Sequence, residues 1–162
     1  MRCRTLLAVF LLAPFARAEE KTSPFAELEF RNIGPSIMGG RVSDVEGVPG
    51  DLRIVYVGAA SGGVWKTVDG GITWKPIFDD QPVSSIGDLA LEPGNPEVLY
   101  VGTGESNLRN SVSFGNGVYK STDGGASFRH LGLSDTRHIS RIVIDPRNPE
   151  RVYVGAFGHA FG

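Results

Sequence analysis

"KTVDGGITW", Lys66 to Trp74, returns fifty-four residues later as "KSTDGGASF", Lys120 to Phe128. Each copy holds a hydroxyl residue (Thr67, Ser121), an aspartate two positions on (Asp69, Asp123), a Gly-Gly pair and then an aromatic residue. The residue types describe a tight turn. A carboxylate at that point accepts backbone N–H groups in an Asx-type arrangement, and the glycines supply a positive φ that other residues resist. Asp69 and Asp123 are therefore expected to form turns, not to act as acids or metal ligands. Trp74 and Phe128 are expected to open the next strand and to pack between neighbouring units.

Working outward, the turn belongs to a larger repeat. "VSDVEGVPGDLRIVYVGAASGG" from Val42 aligns with "IGDLALEPGNPEVLYVGTGESN" from Ile86 and "ISRIVIDPRNPERVYVGAFGHA" from Ile139. Tyr56 and Tyr100 are 44 residues apart and Tyr100 and Tyr153 are 53 apart, while the step from Tyr to the turn Asp grows from 13 to 23. The second copy thus carries a ten-residue insertion on a period of about 43 to 44. Within each unit, "RIVYVGAA" and "EVLYVGTG" are β-branched and aromatic, "GVWKT" and "GVYKS" alternate, and "ITWKPIF" and "ASFRHLG" follow the Gly-Gly turn. With the run that begins at Val42, Ile86 or Ile139, this makes four strands per unit. No segment after residue 20 sustains a 3.6-residue apolar period. Four antiparallel strands at this period define a β-propeller blade, so the fold class is all-β.

Composition bounds the rest. The chain has 162 residues, 41% hydrophobic and 21% charged, which is the profile of a globular protein. "MRCR", the apolar run "TLLAVFLLAPFA" and "ARA" before Glu19 make residues 1–18 a cleavable export signal, leaving residues 19–162 as the N-terminal part of the propeller. The apolar run is too short to span a bilayer, so no membrane contact is expected after cleavage. Removing the signal takes away three arginines and no acid, which leaves 13 basic and 18 acidic residues, formally −5. That balance argues against nucleic acid as a partner. Cys3 goes with the signal, so the exported domain relies on packing without disulfides. The expected location is secreted or periplasmic.

The turn phrases resemble the Asp-box, or bacterial neuraminidase repeat, of sialidases, the sortilin ectodomain and the two-propeller xyloglucan-cleaving glycosidases. The wider pattern "RNIGP", "GGRV", "VYVGAASGGVWKT", "LYVGTGE" and "GVYKSTDGG", from about Phe30 to Gly162, resembles large exported bacterial proteins of the sortilin N-terminal, glycosyl hydrolase-like type. The resemblance implies a propeller with Asp-boxes on its rim, away from the active sites. The xyloglucan-cleaving enzymes carry an Asp in an "R-T-D-x-G-G" phrase; the matching "AASGG" places Ala60 at that acid. Sialidases present three arginines and a tyrosine nucleophile, a set these blades do not assemble.

Strand connections alternate between two faces. The Asp-box turn shares its face with "PGD", "PGNP" and "PRNP"; the opposite face carries the insertion "ESNLRNSVSFGN" and the crossovers "DDQPVSS" and "SDTRHIS". Loops on a rigid scaffold concentrate binding residues, which makes Arg41, Glu105, Asn107, Arg109, Arg137 and His138 the ligand-binding candidates. Arg41 and His138 begin innermost strands beside the channel. Plain structural alternatives are pairing of Arg41 with Asp44 and of Arg137 with Asp135, and capping of a strand by His138. A glycosidase needs two carboxylates about 5 to 10 Å apart. Asp44 and Asp88 hold one position in successive innermost strands and Arg141 holds it in the third, which reads more simply as a solvated or salt-bridged column.

The expected function is a secreted binding module for glycan or peptide ligands, with no cofactor and no metal. The alternatives are a glycoside hydrolase, sialidase-like or xyloglucan-cleaving, with catalytic carboxylates partly outside this chain, and an assembly scaffold. Residues 41–80 make one blade, 84–133 a second and 138–157 half of a third, about two and a half in all. Propellers close with four to eight blades. The remaining blades of a longer chain are therefore expected partners, "LEFRNI" (Leu28–Ile33) is expected to be a strand of another blade, and the terminal blade faces are expected to expose apolar side chains around Val45, Leu89 and Ile142.

Overall fold

The structure is a computed structural model that describes residues 41–107 and 109–158. The expected export signal and the expected strand at Leu28–Ile33 lie outside the described residues. Two four-stranded antiparallel sheets follow one another: β1 (Val42–Val48), β2 (Asp51–Ala59), β3 (Gly63–Thr67) and β4 (Lys75–Pro76), then β5 (Ile86–Glu92), β6 (Asn95–Thr103), β7 (Val118–Ser121) and β8 (Arg129–Gly132). Each is a meander in chain order. β9 (Ile139–Ile144) and β10 (Val152–Ala156) form a two-stranded antiparallel pair that repeats the start of the pattern. The crossover into β9 adds a 3-10 turn at Ser134–Thr136.

β4 is shorter than expected. The alternation in "ITWKPIF" predicts a full outer strand, but paired residues are confined to Trp65↔Pro76 and Lys66↔Lys75, with one further bond from the Ile77 N–H to the Val64 carbonyl (2.9 Å), while on the other side the Thr73 N–H is taken by Asp69 Oδ1 in the turn. β8 runs for four residues. Trp74 and Phe128 accordingly sit just before these strands, not in them.

The core lies between consecutive sheets. Tyr56, Val64 and Phe78 of the first meet Ile86, Leu89, Leu99, Val101 and Tyr119 of the second. Ala90, Val98, Tyr100 and Val118 then meet Ile139, Ile142 and Ile144. Burying each large side chain contributes about 1.5–3 kcal/mol. Phe128 packs edge-on against Phe78, centroids 4.9 Å apart, so it does bridge two blades; Trp74 stays 38% exposed and bonds its own turn at the Gly71 carbonyl. The glycine that closes each "VYVG" run has a packing reason. A Cβ on Gly58 would lie 2.8 Å from Ile86 Cγ2, and one on Gly102 2.6 Å from Ile139 Cγ2, so the bare backbone admits the first side chain of the following blade.

The repeat also explains which faces stay open. Val45 is 55% exposed, although its counterparts Leu89 and Ile142 are buried against the blade before them. Leu89 and Ile142 are thus not exposed as expected; at the far end the open positions are Val143 and Tyr153. Tyr153 corresponds to Tyr56, whose hydroxyl donates to the Gly124 carbonyl of the next blade alongside Lys66 Nζ.

The two Gly-Gly turns have one geometry. Asp69 Oδ1 accepts Thr67 Oγ1 (2.8 Å) and the Thr73 N–H (2.9 Å), and Oδ2 accepts Thr73 Oγ1 (2.6 Å). Asp123 does the same with Ser121 and Ser127 at 2.7, 2.9 and 2.5 Å. Gly70, Gly71, Gly124 and Gly125 all have positive φ. Hydrogen bonds from Thr73 and Ser127 foremost hold both carboxyls down to about 2. A depressed carboxyl contributes stability above its unfolded value near 3.8 that is lost as pH falls toward 2. Asp69→Ala should therefore lower the melting temperature at pH 7 and flatten its fall between pH 4 and 2, both read by calorimetry; an unchanged melting temperature at pH 7 would remove the turn-forming role.

Candidate functional site

Topology separates two faces as the loop pattern requires. The Gly70 and Gly124 N–H groups bond the Arg53 and Glu97 carbonyls at the starts of β2 and β6, which puts the repeated turns beside the β1–β2 and β5–β6 connections. On the other face, three residues occupy one repeat position immediately before an innermost strand: Arg41, Ser85 and His138.

Arg41 grips Glu105 with both ends of its guanidinium, Nε to Oε1 at 2.7 Å and a second bond from the terminal nitrogen to Oε2. Asp44, the partner expected as its alternative, bonds the Leu89 N–H instead. Glu105 is buried and Arg41 half-buried, so the pair ties the first blade to the second, and the hydrogen bonds that Arg41 donates to Glu105 raise the Arg41 pKa. Removing either partner from such a desolvated pair leaves a costly uncompensated charge.

Ser85 links this pair to the insertion. Its hydroxyl accepts the Glu105 N–H (3.0 Å) and donates to the Ser113 carbonyl (2.9 Å). The insertion is also held at Gly115, whose N–H bonds the Arg137 carbonyl (2.8 Å), and at Asn116, whose N–H bonds Thr103 Oγ1 (2.9 Å). Phe114 thereby stands at the crossover. Arg137 lies over its ring at 4.8 Å, and the His138 ring meets it in a T at 5.4 Å.

His138 is fully buried, and neither ring nitrogen has a hydrogen-bond partner among the described residues. Its place beside β9 comes from its backbone, through its N–H to Thr136 O and its carbonyl to the Phe157 N–H. Arg137 sits at φ 58°, ψ −37°, where a non-glycine residue is strained by about 1–3 kcal/mol. Strain of that kind persists where surrounding structure imposes it, and here Phe114 and Gly115 do so.

Four of the six expected residues, Arg41, Glu105, Arg137 and His138, belong to one connected cluster. Asn107 and Arg109 lie exposed on the insertion, and no hydrogen bond, ion pair or ring contact among the described residues joins them to it. Reasoning confined to polar side chains missed Phe114 and Ser85. The signal for Phe114 was a lone aromatic residue within a Ser- and Asn-rich insertion. At the loop matching the xyloglucanase acid, Ala60 is fully buried and its N–H bonds the Arg41 carbonyl, so no carboxylate stands there. Among the described residues no group of three His, Cys, Asp or Glu side chains is arranged to hold a metal. No described helix is long and apolar enough to cross a membrane.

Comparison with solved structures bears on the fold. A crystal structure of an ancestral GH74 enzyme superimposes with a TM-score of 0.60 at 24% identity over 74% of this chain. The fold is that of a β-propeller. The GH74 enzyme of Niastella koreensis matches over 64% of the chain at 24% identity with a TM-score of 0.49. This propeller chain spans 17% and 16% of those two proteins' own lengths. No protein family profile matches the chain, and no curated protein is significantly similar to it. The two meanders are blades and the β9–β10 pair is the first half of another.

Proposed function

We propose that this chain is part of an exported glycan-binding propeller whose ligand meets the face built by Arg41, Glu105, Phe114, Arg137 and His138. The observation that carries the reading is Phe114, an aromatic ring left 51% exposed on a loop tied down at both ends, with a guanidinium above it. An aromatic plane beside a fixed cation offers a sugar both a surface for its C–H groups and hydrogen-bond donors for its hydroxyls. Asn107 and Arg109 extend the same loop toward solvent and are proposed as outer contacts.

A glycan array probed with the full chain is expected to return neutral or acidic oligosaccharides, and Phe114→Ala to weaken them about ten- to a hundredfold, the worth of one buried aromatic contact. Binding unchanged in that variant, or confined to peptides, would overturn the proposal. The rival reading, glycoside hydrolysis, gains no support from the buried Ala60. No reducing sugar is expected from xyloglucan or sialyl substrates; turnover abolished by Asp44→Asn or Asp88→Asn would replace binding by hydrolysis.

A further inference from the structure

A second feature recurs on the opposite rim. In the first blade a cavity of about 130 Å³ is lined by Lys66, Val68, Thr73, Lys75 and Ile77; in the second, one of about 380 Å³ is lined by Lys120, Thr122, Ser127, Phe128 and Arg129. Four lining positions of each correspond at the fifty-four-residue repeat: Lys66 to Lys120, Val68 to Thr122, Thr73 to Ser127 and Lys75 to Arg129. The cations face each other directly across the ladder, Lys66 opposite Lys75 and Lys120 opposite Arg129. Like charges so placed destabilise a sheet. None of the four forms an ion pair with a described acid; Lys66 and Lys120 instead lie over the Tyr56 and Tyr100 rings, and Lys66 also donates to the Gly124 carbonyl.

The hydroxyl in each cavity has a fixed polarity. Thr73 and Ser127 give their protons to the turn aspartates, so their oxygens are left to accept from a ligand. The aspartates are themselves taken up by three bonds each inside the turn. A matching ligand brings an anionic group for the paired cations and a hydroxyl to donate to the Thr or Ser oxygen, with the Phe128 ring as an apolar wall in the larger cavity. A sugar acid carries all of these on one residue.

We propose that each blade rim binds one acidic residue of an anionic polysaccharide, carboxylate- or sulfate-bearing, between the cation pair and the hydroxyl of the Gly-Gly turn. This site is separate from the Phe114 face and stands or falls apart from it. The basic pairs have a plainer alternative role, since β4 and β8 are outer strands and Lys or Arg on an edge discourages pairing with other chains.

The test is isothermal titration of the full chain with polygalacturonate and with dextran sulfate, and with unmodified dextran as the neutral probe. Lys75 and Arg129 are exposed, so Lys75→Gln and Arg129→Gln are expected to leave the fold intact, as circular dichroism would show. The wild type should bind at least one of the charged polymers and not dextran, and weaken several-fold between 50 and 200 mM salt. The double variant should lose about tenfold or more, as expected for charge-assisted bonds, while Lys75→Arg retains binding and Phe114→Ala leaves it unchanged. Equal binding of dextran, no binding of either anion, or undiminished affinity in the double variant overturns the proposal. Aggregation of the double variant with unchanged affinity in its soluble fraction also overturns it, in favour of edge protection.

Discussion

Replacing Gly104 by alanine is expected to cost about 4 kcal/mol or more, a large part of the 5–15 kcal/mol that holds a typical domain together. A methyl group at that position would sit 1.8 Å from the Arg137 carbonyl oxygen and 2.8 Å from the Gly115 nitrogen, and both neighbours are backbone. No rotamer change can relieve it. The residue also has φ +88°, which adds about 1–2 kcal/mol for any L side chain. Its own peptide is committed at both ends, the N–H to the Ser85 carbonyl and the carbonyl to the Ile139 N–H. Gly94→Ala supplies the control, because Gly94 has φ +80° but nothing within 4 Å of the added carbon. That variant should lose only the backbone strain. Urea unfolding of both variants measures the difference, and equal losses would show that crowding at Gly104 contributes nothing. Since Arg137 is the group displaced, ligand binding at Phe114 should weaken in Gly104→Ala even in conditions where the protein remains folded.

Gly104 also marks the line between what the sequence discloses and what it conceals. Strands and blades were legible because their signals are local: β-branched runs, alternation and a Gly-Gly turn beside an aspartate decide structure over a few residues. The short β4 was not legible from Pro76, because the Ile77 N–H beyond the proline still bonds the Val64 carbonyl. The placement of the insertion and crossovers on one face followed from meander topology alone. Partners across blades were another matter. Arg41 reaches Glu105 over a separation of 64 residues, and the nearer Asp44 looked the simpler partner until the inter-blade register turned it toward Leu89. Phe114 was hidden for a related reason: its place as a lone aromatic in a polar insertion marks it locally, but the Arg137 and His138 it meets come from a crossover more than twenty residues on. The strain at Arg137 follows from neighbours packed around it, and no propensity of arginine announces a positive φ.

The column of Asp44 and Asp88 supplies the second large effect, and it separates structure from catalysis. Asp88 Oδ2 accepts the Ile142 N–H at 2.6 Å, as Asp44 Oδ2 accepts the Leu89 N–H at 2.9 Å, so each aspartate fastens its innermost strand to the next. Asp88 is 3% exposed, and Arg141, at the same position of the third repeat, reaches back to its other oxygen at 3.4 Å. Asp88→Ala would strand the Ile142 N–H in a dry seam and should cost about 2–3 kcal/mol, the worth of a buried donor without its charged acceptor. Asp88→Asn keeps an acceptor oxygen, so it should cost well under half as much. The pH dependence then tells the two states of the carboxyl apart. Burial foremost, with Asp44 adding repulsion, raises the Asp88 pKa, and burial with the charges of Asp44 and Asp88 raises that of Glu46. A raised carboxyl binds its proton more tightly when folded, so its contribution is full below the unfolded value near 3.8 and is lost as pH rises through the folded one. The wild type therefore gives up stability on this account as pH rises above about 4 and passes the raised value. Asp88→Asn is spared that loss, and its stability relative to wild type should improve over the same interval. Urea melts of the three proteins at pH 4 and 7 decide the matter: a loss in Asp88→Asn as large as in Asp88→Ala, at both pH values, would mean that the charge itself fastens the blades. If Asp88→Ala proved as stable as the wild type, the inter-blade bond would carry no weight and the carboxylate would be free for chemistry.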